Sequence, residues 1–223
     1  MAFGGEFAVN EATVNTTWNS FERIYWKYYL KLEKEFLEVI DFVEFVPENY
    51  GVYSIKLMQL LLSIGSEVDA VMREICQIAD TERSSIADYS KIILKRYPTL
   101  QSQRVCVFRS NQILSPFQEW NLESPSQSLP FWSAYNAVKH HRVVEYSQAS
   151  LESVANGMAA LFILSMYRLD EIYTEMGNCQ QNIPNVESTL FYLENWTFKF
   201  KFSLMKNHYQ IIDDDEKTVI LPS

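Results

Sequence analysis

Two long runs of apolar residues at helical spacing, divided by a turn, constrain this chain more than any other feature. In the first run Ile24, Tyr28, Leu32, Phe36, Val39 and Val43 recur every three or four residues, with Lys27, Lys31, Lys34 and Glu38 between them. That period gathers the apolar side chains on one stripe of a helix and the charges on the other. It predicts a helix over 18–46, closed by Pro47. Asn49, Tyr50 and Gly51 then mark a turn. A second run through Ile55, Leu57, Leu60, Leu61, Ile64, Val68, Val71, Ile75 and Ile78 predicts a helix over 52–79. Two such helices joined by a short turn bury their stripes by packing antiparallel.

The remainder continues in the same style. A third helix is predicted over 85–96, stopping ahead of Pro98, because a residue before proline avoids helical angles. Residues 104–108 alternate as a short strand does, and 115–130 read as a loop carrying Pro116, Pro125 and Pro130, pinned by Phe117 and Trp120. A fourth helix follows over 131–141. A fifth over 149–176 carries small residues, Ala155, Gly157, Ala159 and Ala160, that let a neighbouring helix come close. Beyond Pro184 the pattern changes: 190–204 alternate aromatics with Thr, Lys and Ser, 213–216 form an acidic turn, and 218–221 make a last strand. The expected fold is mainly α, an antiparallel bundle of four to five helices with a small C-terminal β appendage. The expected division is a flexible N-terminus over 1–17, a helical bundle over 18–180 and a β-rich appendage over 181–223.

Composition excludes several function classes. Only 6 glycines occur among 223 residues, and no G-x-G-x-x-G or P-loop pattern is present, which removes the nucleotide folds built on glycine-rich phosphate loops. Cys76, Cys106 and Cys179 are dispersed without a Cys-x-x-Cys pair, as expected of thiols in a reducing cytoplasm. The only histidines are His140, His141 and His208, and the adjacent pair point about 100° apart on a helix, so neither a metal site nor a cofactor is expected. The N-terminus carries no secretory signal pattern. Every apolar stretch is interrupted well short of the roughly 20 residues that span a bilayer, so no membrane partner is expected. The net charge of −9 argues against coating nucleic acid by bulk charge. An anionic partner needs a local basic patch.

Three constellations offer chemistry. Over 132–142 helical spacing puts Asn136 and His140 on one face with Lys139 beside them, and Tyr135, Lys139 and Arg142 on the adjacent face. An imidazole moves protons near neutral pH while Lys and Arg offset charge on phosphate. The same residues also read as a solvated basic helix end, favourably placed against the helix dipole. In the second helix Glu67 interrupts the most apolar stretch, and Asp69 and Arg73 stand four apart. Either they form an exposed face with a local ion pair, or Glu67 or Asp69 reaches across to orient His140. The third is electrostatic: Arg83, Lys91, Lys95, Arg96, Arg104 and Arg109 fall in one segment against a single acid, Asp88, with Tyr89, Tyr97 and Phe108 interleaved. Such a segment tracks a single-stranded backbone and stacks bases, or is a solvated helix face over core aromatics.

The order of motifs resembles bacterial HEPN-domain proteins, which are common among toxins and phage-defence factors. The resemblance rests on residues 61–69 (Leu-Leu-Ser-Ile-Gly-Ser-Glu-Val-Asp), Pro116-Phe117-x-x-Trp120, and Trp132-x-x-Tyr135-Asn136-x-Val138-Lys139-His140-x-Arg142, followed by the Ala-rich helix, and covers about 50–175. It implies a helical bundle, often dimeric, and in many members a metal-independent endoribonuclease with an Arg, a following polar residue and a His from each subunit. Asn136 and His140 match the polar residue and the histidine. The family's arginine has no counterpart, since Ser133, Ala134 and Tyr135 precede Asn136. Lys139 or Arg142, or Arg109 or Arg73 from another element, would have to supply that cation, or the domain binds without catalysis. The resemblance therefore implies RNA as substrate, cleaved by 2′-hydroxyl attack. Its alternative is an inactive adaptor for a partner protein or nucleotide, with a homodimer and an antitoxin or defence-system protein as further partners.

Overall fold

The computed structural model describes residues 20–79, 81–108, 110–175, 188–194, 210–212 and 218–220. The expected N-terminus over 1–17, Arg109, Cys179, His208, the aromatic alternation over 196–202 and the acidic turn over 213–216 lie outside them.

Among the described residues the chain is mainly helical. A π-helical turn, Glu22–Trp26, runs into α1 (Lys27–Ile40), and α2 (Ile55–Cys76), α3 (Ile86–Arg96), α4 (Pro130–Glu145) and α5 (Leu151–Glu175) follow. α1 buries Tyr29, Leu32, Phe36 and Val39, whereas Ile24 and Tyr28, which the apolar period also puts on the stripe, are exposed, so Tyr29 takes the place expected of Tyr28. It ends six residues before the limit of 46 that its apolar period suggests. Phe45 folds back to meet Phe36 edge-on at 6.0 Å and Tyr50 at 5.5 Å, and Val46 takes the extended angles that a residue before proline prefers.

α2 starts at Ser54, whose hydroxyl accepts from the Leu57 amide, and stops at Gln77 in the left-handed region. The guanidinium of Arg73 fixes the exit by donating to the carbonyls of Ala79 and Glu82. α3 opens on a cap: the Ser85 hydroxyl at 2.7 Å and the Ser85 amide at 3.1 Å both donate to Asp88, which holds that carboxyl below its ordinary range. α5 is buried on nearly every side from Val154 to Leu169, as the central helix of a bundle must be. Its main partner is α2, where Gly157 admits Ile64: a Cβ on Gly157 would sit 3.1 Å from Ile64 Cγ2. Phe117 and Trp120 are fully buried and pin the loop ahead of α4, with the indole N–H donating to the Pro125 carbonyl.

The small sheet is antiparallel and is assembled from distant parts of the chain. β1 (Val105–Val107) lies between β2 (Ile113–Leu114) and β3 (Phe191–Leu193), with Cys106 opposite both Ile113 and Tyr192. A separate pair, β4 (Gln210–Ile212) and β5 (Thr218–Ile220), places Ile211 opposite Val219. Two of the three strands in the larger sheet thus come from mid-chain, so residues 188–194 belong to the body of the fold.

What fixes β3 there is a carboxylate. Glu33 lies on the apolar stripe of α1 at 3% exposure. It accepts from the Tyr29 hydroxyl at 2.7 Å, from the Ser188 hydroxyl, and from both the amide (2.8 Å) and the hydroxyl (2.9 Å) of Thr189. Ser188 in turn accepts from the Phe191 amide at 3.0 Å. Burial beside this carboxylate pushes the Tyr29 hydroxyl well above its ordinary pKa, so Tyr29 stays a donor. Glu33→Gln keeps the volume but turns an NH₂ group toward donors. We expect it to lower stability by about 3 kcal/mol, because charged hydrogen bonds contribute most and unmatched buried donors cost the rest. A urea unfolding midpoint measures this, and an unchanged midpoint contradicts the clamp.

Candidate functional site

α4 begins at Pro130, whose missing N–H costs nothing in the first helical turn. It buries Phe131, Trp132, Ala134, Tyr135 and Val138 against the bundle. From Lys139 onward it leaves the core: Lys139, His140, His141 and Arg142 are exposed, and Val143 and Val144 stand at 98% and 80% exposure. His141 has non-helical angles (φ −132°, ψ 39°) and breaks the helix inside this turn. The fourth helix therefore continues past the limit of 141 expected from sequence, with a kink at that limit.

The cluster expected on α4 divides into held and free-standing groups. Asn136 spends an amide proton on the Trp132 carbonyl of its own helix at 3.0 Å. The Lys139 ammonium donates to the Tyr135 hydroxyl at 3.0 Å and stands 5.1 Å over the Tyr135 ring, a hydrogen bond and a cation–π contact to one residue. Tyr135 is itself set by α2. A Cβ on Gly65 would fall 2.3 Å from the Tyr135 ring carbons, so only glycine admits that ring. His140 and Arg142 project beside Lys139 on the exposed turn.

The α2 groups go elsewhere. Gly65 faces Tyr135, and Glu67, two residues on, is turned about 200° around the helix from it. The carboxylate is therefore not brought to His140. Burial alone acts on Glu67 and raises its carboxyl to about 7. Asp69 accepts from the Tyr89 hydroxyl on α3 at 3.1 Å, and that hydroxyl also meets Ser84 at 2.8 Å. Arg73 caps the end of α2 in place of an ion pair with Asp69.

The basic segment is similarly sorted. Lys91 and Lys95 are exposed on α3. Arg96 is bound into the fold, donating to Glu171 at 2.5 Å and to the Ile75 carbonyl at 2.7 Å. Buried Arg168 extends this cluster to Glu74 at 3.1 Å. Arg104 pairs with Glu194 across the strands at 3.1 Å. α3 packs along the C-terminal half of α2, Tyr89 at Asp69 and Arg96 at Ile75, whereas the end of α4 lies by the start of α2, where Tyr146 meets Tyr53, so the two basic regions are separate surfaces. No three His, Cys, Asp or Glu side chains among the described residues gather as metal ligands do, and no helix there is long and apolar enough to cross a membrane.

Sequence reasoning passed over the two valines, although two β-branched residues beside a Lys-His-His-Arg run are an exposed-patch signal wherever a helix outruns its core contacts. It also passed over the corner beside them, where the Tyr53 ring meets Tyr146 edge-on at 5.4 Å. Comparison with protein-family models, curated proteins and solved structures finds no match to this chain.

Because burial raises the Glu67 carboxyl, the folded state binds its proton more tightly than the unfolded state does. Stability contributed by the neutral form is present at low pH and is lost as pH rises through about 7. Glu67→Gln should raise the melting midpoint at pH 8 and leave it nearly unchanged at pH 4. An equal shift at both values contradicts the assignment.

Proposed function

We propose that this chain is a HEPN-like protein of a bacterial defence or toxin-type system, acting in the cytoplasm, that holds RNA at the exposed end of α4 and cleaves it without a metal. The observation that carries the reading is the run Lys139, His140, Arg142, exposed together on a kinked helix end with the Lys139 ammonium set over Tyr135, in a chain whose net charge is −9. Phosphate is drawn to a turn that presents cations and an imidazole together.

The chemistry is a transesterification. The ribose 2′-oxygen attacks the adjacent phosphorus, the bond to the 5′-oxygen breaks, and the products are a 2′,3′-cyclic phosphate and a 5′-hydroxyl. His140 takes the proton from the 2′-hydroxyl or returns one to the departing oxygen. Lys139 and Arg142 offset the charge that grows on the phosphate oxygens, and Asn136 lies one turn back on the same face. Val143 and Val144 are the surface on which a second copy docks, adding its own His140 and cations to the site. An antitoxin or other defence-system protein would cover the same end.

A second reading, a non-catalytic adaptor for a partner protein or nucleotide, is favoured by two features: Asn136 donates to its own helix, and no carboxylate among the described residues orients His140. Purified protein incubated with mixed RNA in EDTA separates the two. The nuclease reading expects cyclic-phosphate ends and a loss of at least about a hundredfold in rate on His140→Ala. Cleavage that survives His140→Ala contradicts it, and RNA binding with no cleavage assigns the adaptor.

A further inference from the structure

An open cleft of about 1120 Å³ lies between the end of α1 with its following loop, the β1–β2 turn and the start of β3. Phe45, Phe108, Ser110, Asn111, Gln112 and Thr189 are in its lining. It sits at the same end of the bundle as the cationic turn of α4, and one loop connects them through specific contacts. Tyr50 donates its hydroxyl to Gln112 Oε1 at 2.9 Å, and its backbone carbonyl accepts from the Glu152 amide at the start of α5. The Val52 carbonyl accepts from the Leu151 amide at 2.8 Å, and the Tyr53 ring meets Tyr146 just beyond α4.

We propose that this cleft takes one unstacked nucleobase of a single RNA strand whose phosphates lie at Lys139 and Arg142, an inference that rests on the RNA reading above and narrows it to single-stranded substrate. The described lining offers what a base needs: an aromatic face on Phe108 and side-chain amides on Asn111 and Gln112. The Phe108 ring is 45% exposed and is backed by Tyr192 at 4.9 Å, so it offers a supported aromatic face. Base stacking on such a face tolerates any base. The amides of Asn111 and Gln112 carry both donors and acceptors for a base edge, and the bond from Tyr50 fixes the Gln112 amide. Phosphate contacts on α4 would hold the strand while the base occupies the cleft. A duplex keeps its bases stacked and paired and cannot deliver one without opening.

The test compares the full chain with Phe108→Ala, Asn111→Ala and the double variant Lys139→Ala/Arg142→Ala. Fluorescence anisotropy reads binding of short single strands of each base, an abasic strand of equal length and a duplex across a salt series. Phe108→Ala should weaken the base-bearing strands about tenfold or more and leave the abasic strand and the salt slope unchanged. Asn111→Ala, an exposed change, should weaken them in the same selective way. The double variant should weaken every strand and flatten the salt slope. Equal loss on the abasic strand, no loss, or duplex bound as tightly as single strand overturns the proposal. A parallel titration with free nucleosides, followed by NMR shifts, separates the two readings. Phe108-dependent saturation without RNA binding keeps the base site and rejects the RNA reading. RNA binding indifferent to Phe108 keeps the RNA reading and rejects the base site.

Discussion

A carboxylate buried on the first helix ties α1 to residues 188–189, more than 150 positions along the chain. Glu33 sits where the stripe of α1 calls for an apolar residue, and the cost of removing its charge from water is offset only because hydroxyls and an amide from 188–189 converge on it with Tyr29. Everything on that side of the molecule follows. Ser188 and Thr189, once held, start β3. β3 gives β1 its second partner, and the paired β1 carries the 107–112 turn that walls the cleft. An apolar residue at 33 would bury equally well but would leave 188–189 with nothing to bind.

The other half of the architecture depends on close approach. α5 serves as the central post, and Gly157 lets α2 lie against it, while Gly65 lets the Tyr135 ring into the surface of α2. That second contact sets the rotation of α4, and hence which residues leave the core when the helix outruns its neighbours. Tyr135 is then both a packing residue and the seat for Lys139. At the opposite end of α5 the Arg96, Glu171, Arg168 and Glu74 cluster locks α3, α5 and α2 together. Cations that count toward a basic segment in the sequence are there consumed by the fold.

How much was legible in the sequence differs by element for physical reasons. α2 and α3 were readable to within about three residues because their ends are chemically marked: Ser54 at one start, the Ser85 and Asp88 pair at the other, Pro98 beyond. α1 was read too long because Val43 keeps the period after the backbone has already turned to bring Phe45 onto Phe36. The Glu33 clamp was not readable, since its partners other than Tyr29 lie 155 and 156 positions away, and nothing in the local sequence sets this glutamate apart from its exposed neighbours. At the candidate site Asn136, Lys139 and His140 share one helical segment, while the break at His141 puts Arg142 beyond it, off the face that unbroken helical spacing assigns to it. Spacing could not say which face of α2 would look at them. The Gly65 contact decides that, and it turns Glu67 away.

In the proposed function, cations on α4 meet phosphate and the cleft by the β1–β2 turn takes a base, both at one end of the bundle, while the basic surface of α3 stands apart. Hydrogen–deuterium exchange on the full chain, with and without a short single-stranded RNA, tests this most directly. The account predicts new protection confined to 107–112 and 139–146, with 86–96 unchanged. Protection centred on 86–96, or none at 139–146, would contradict it.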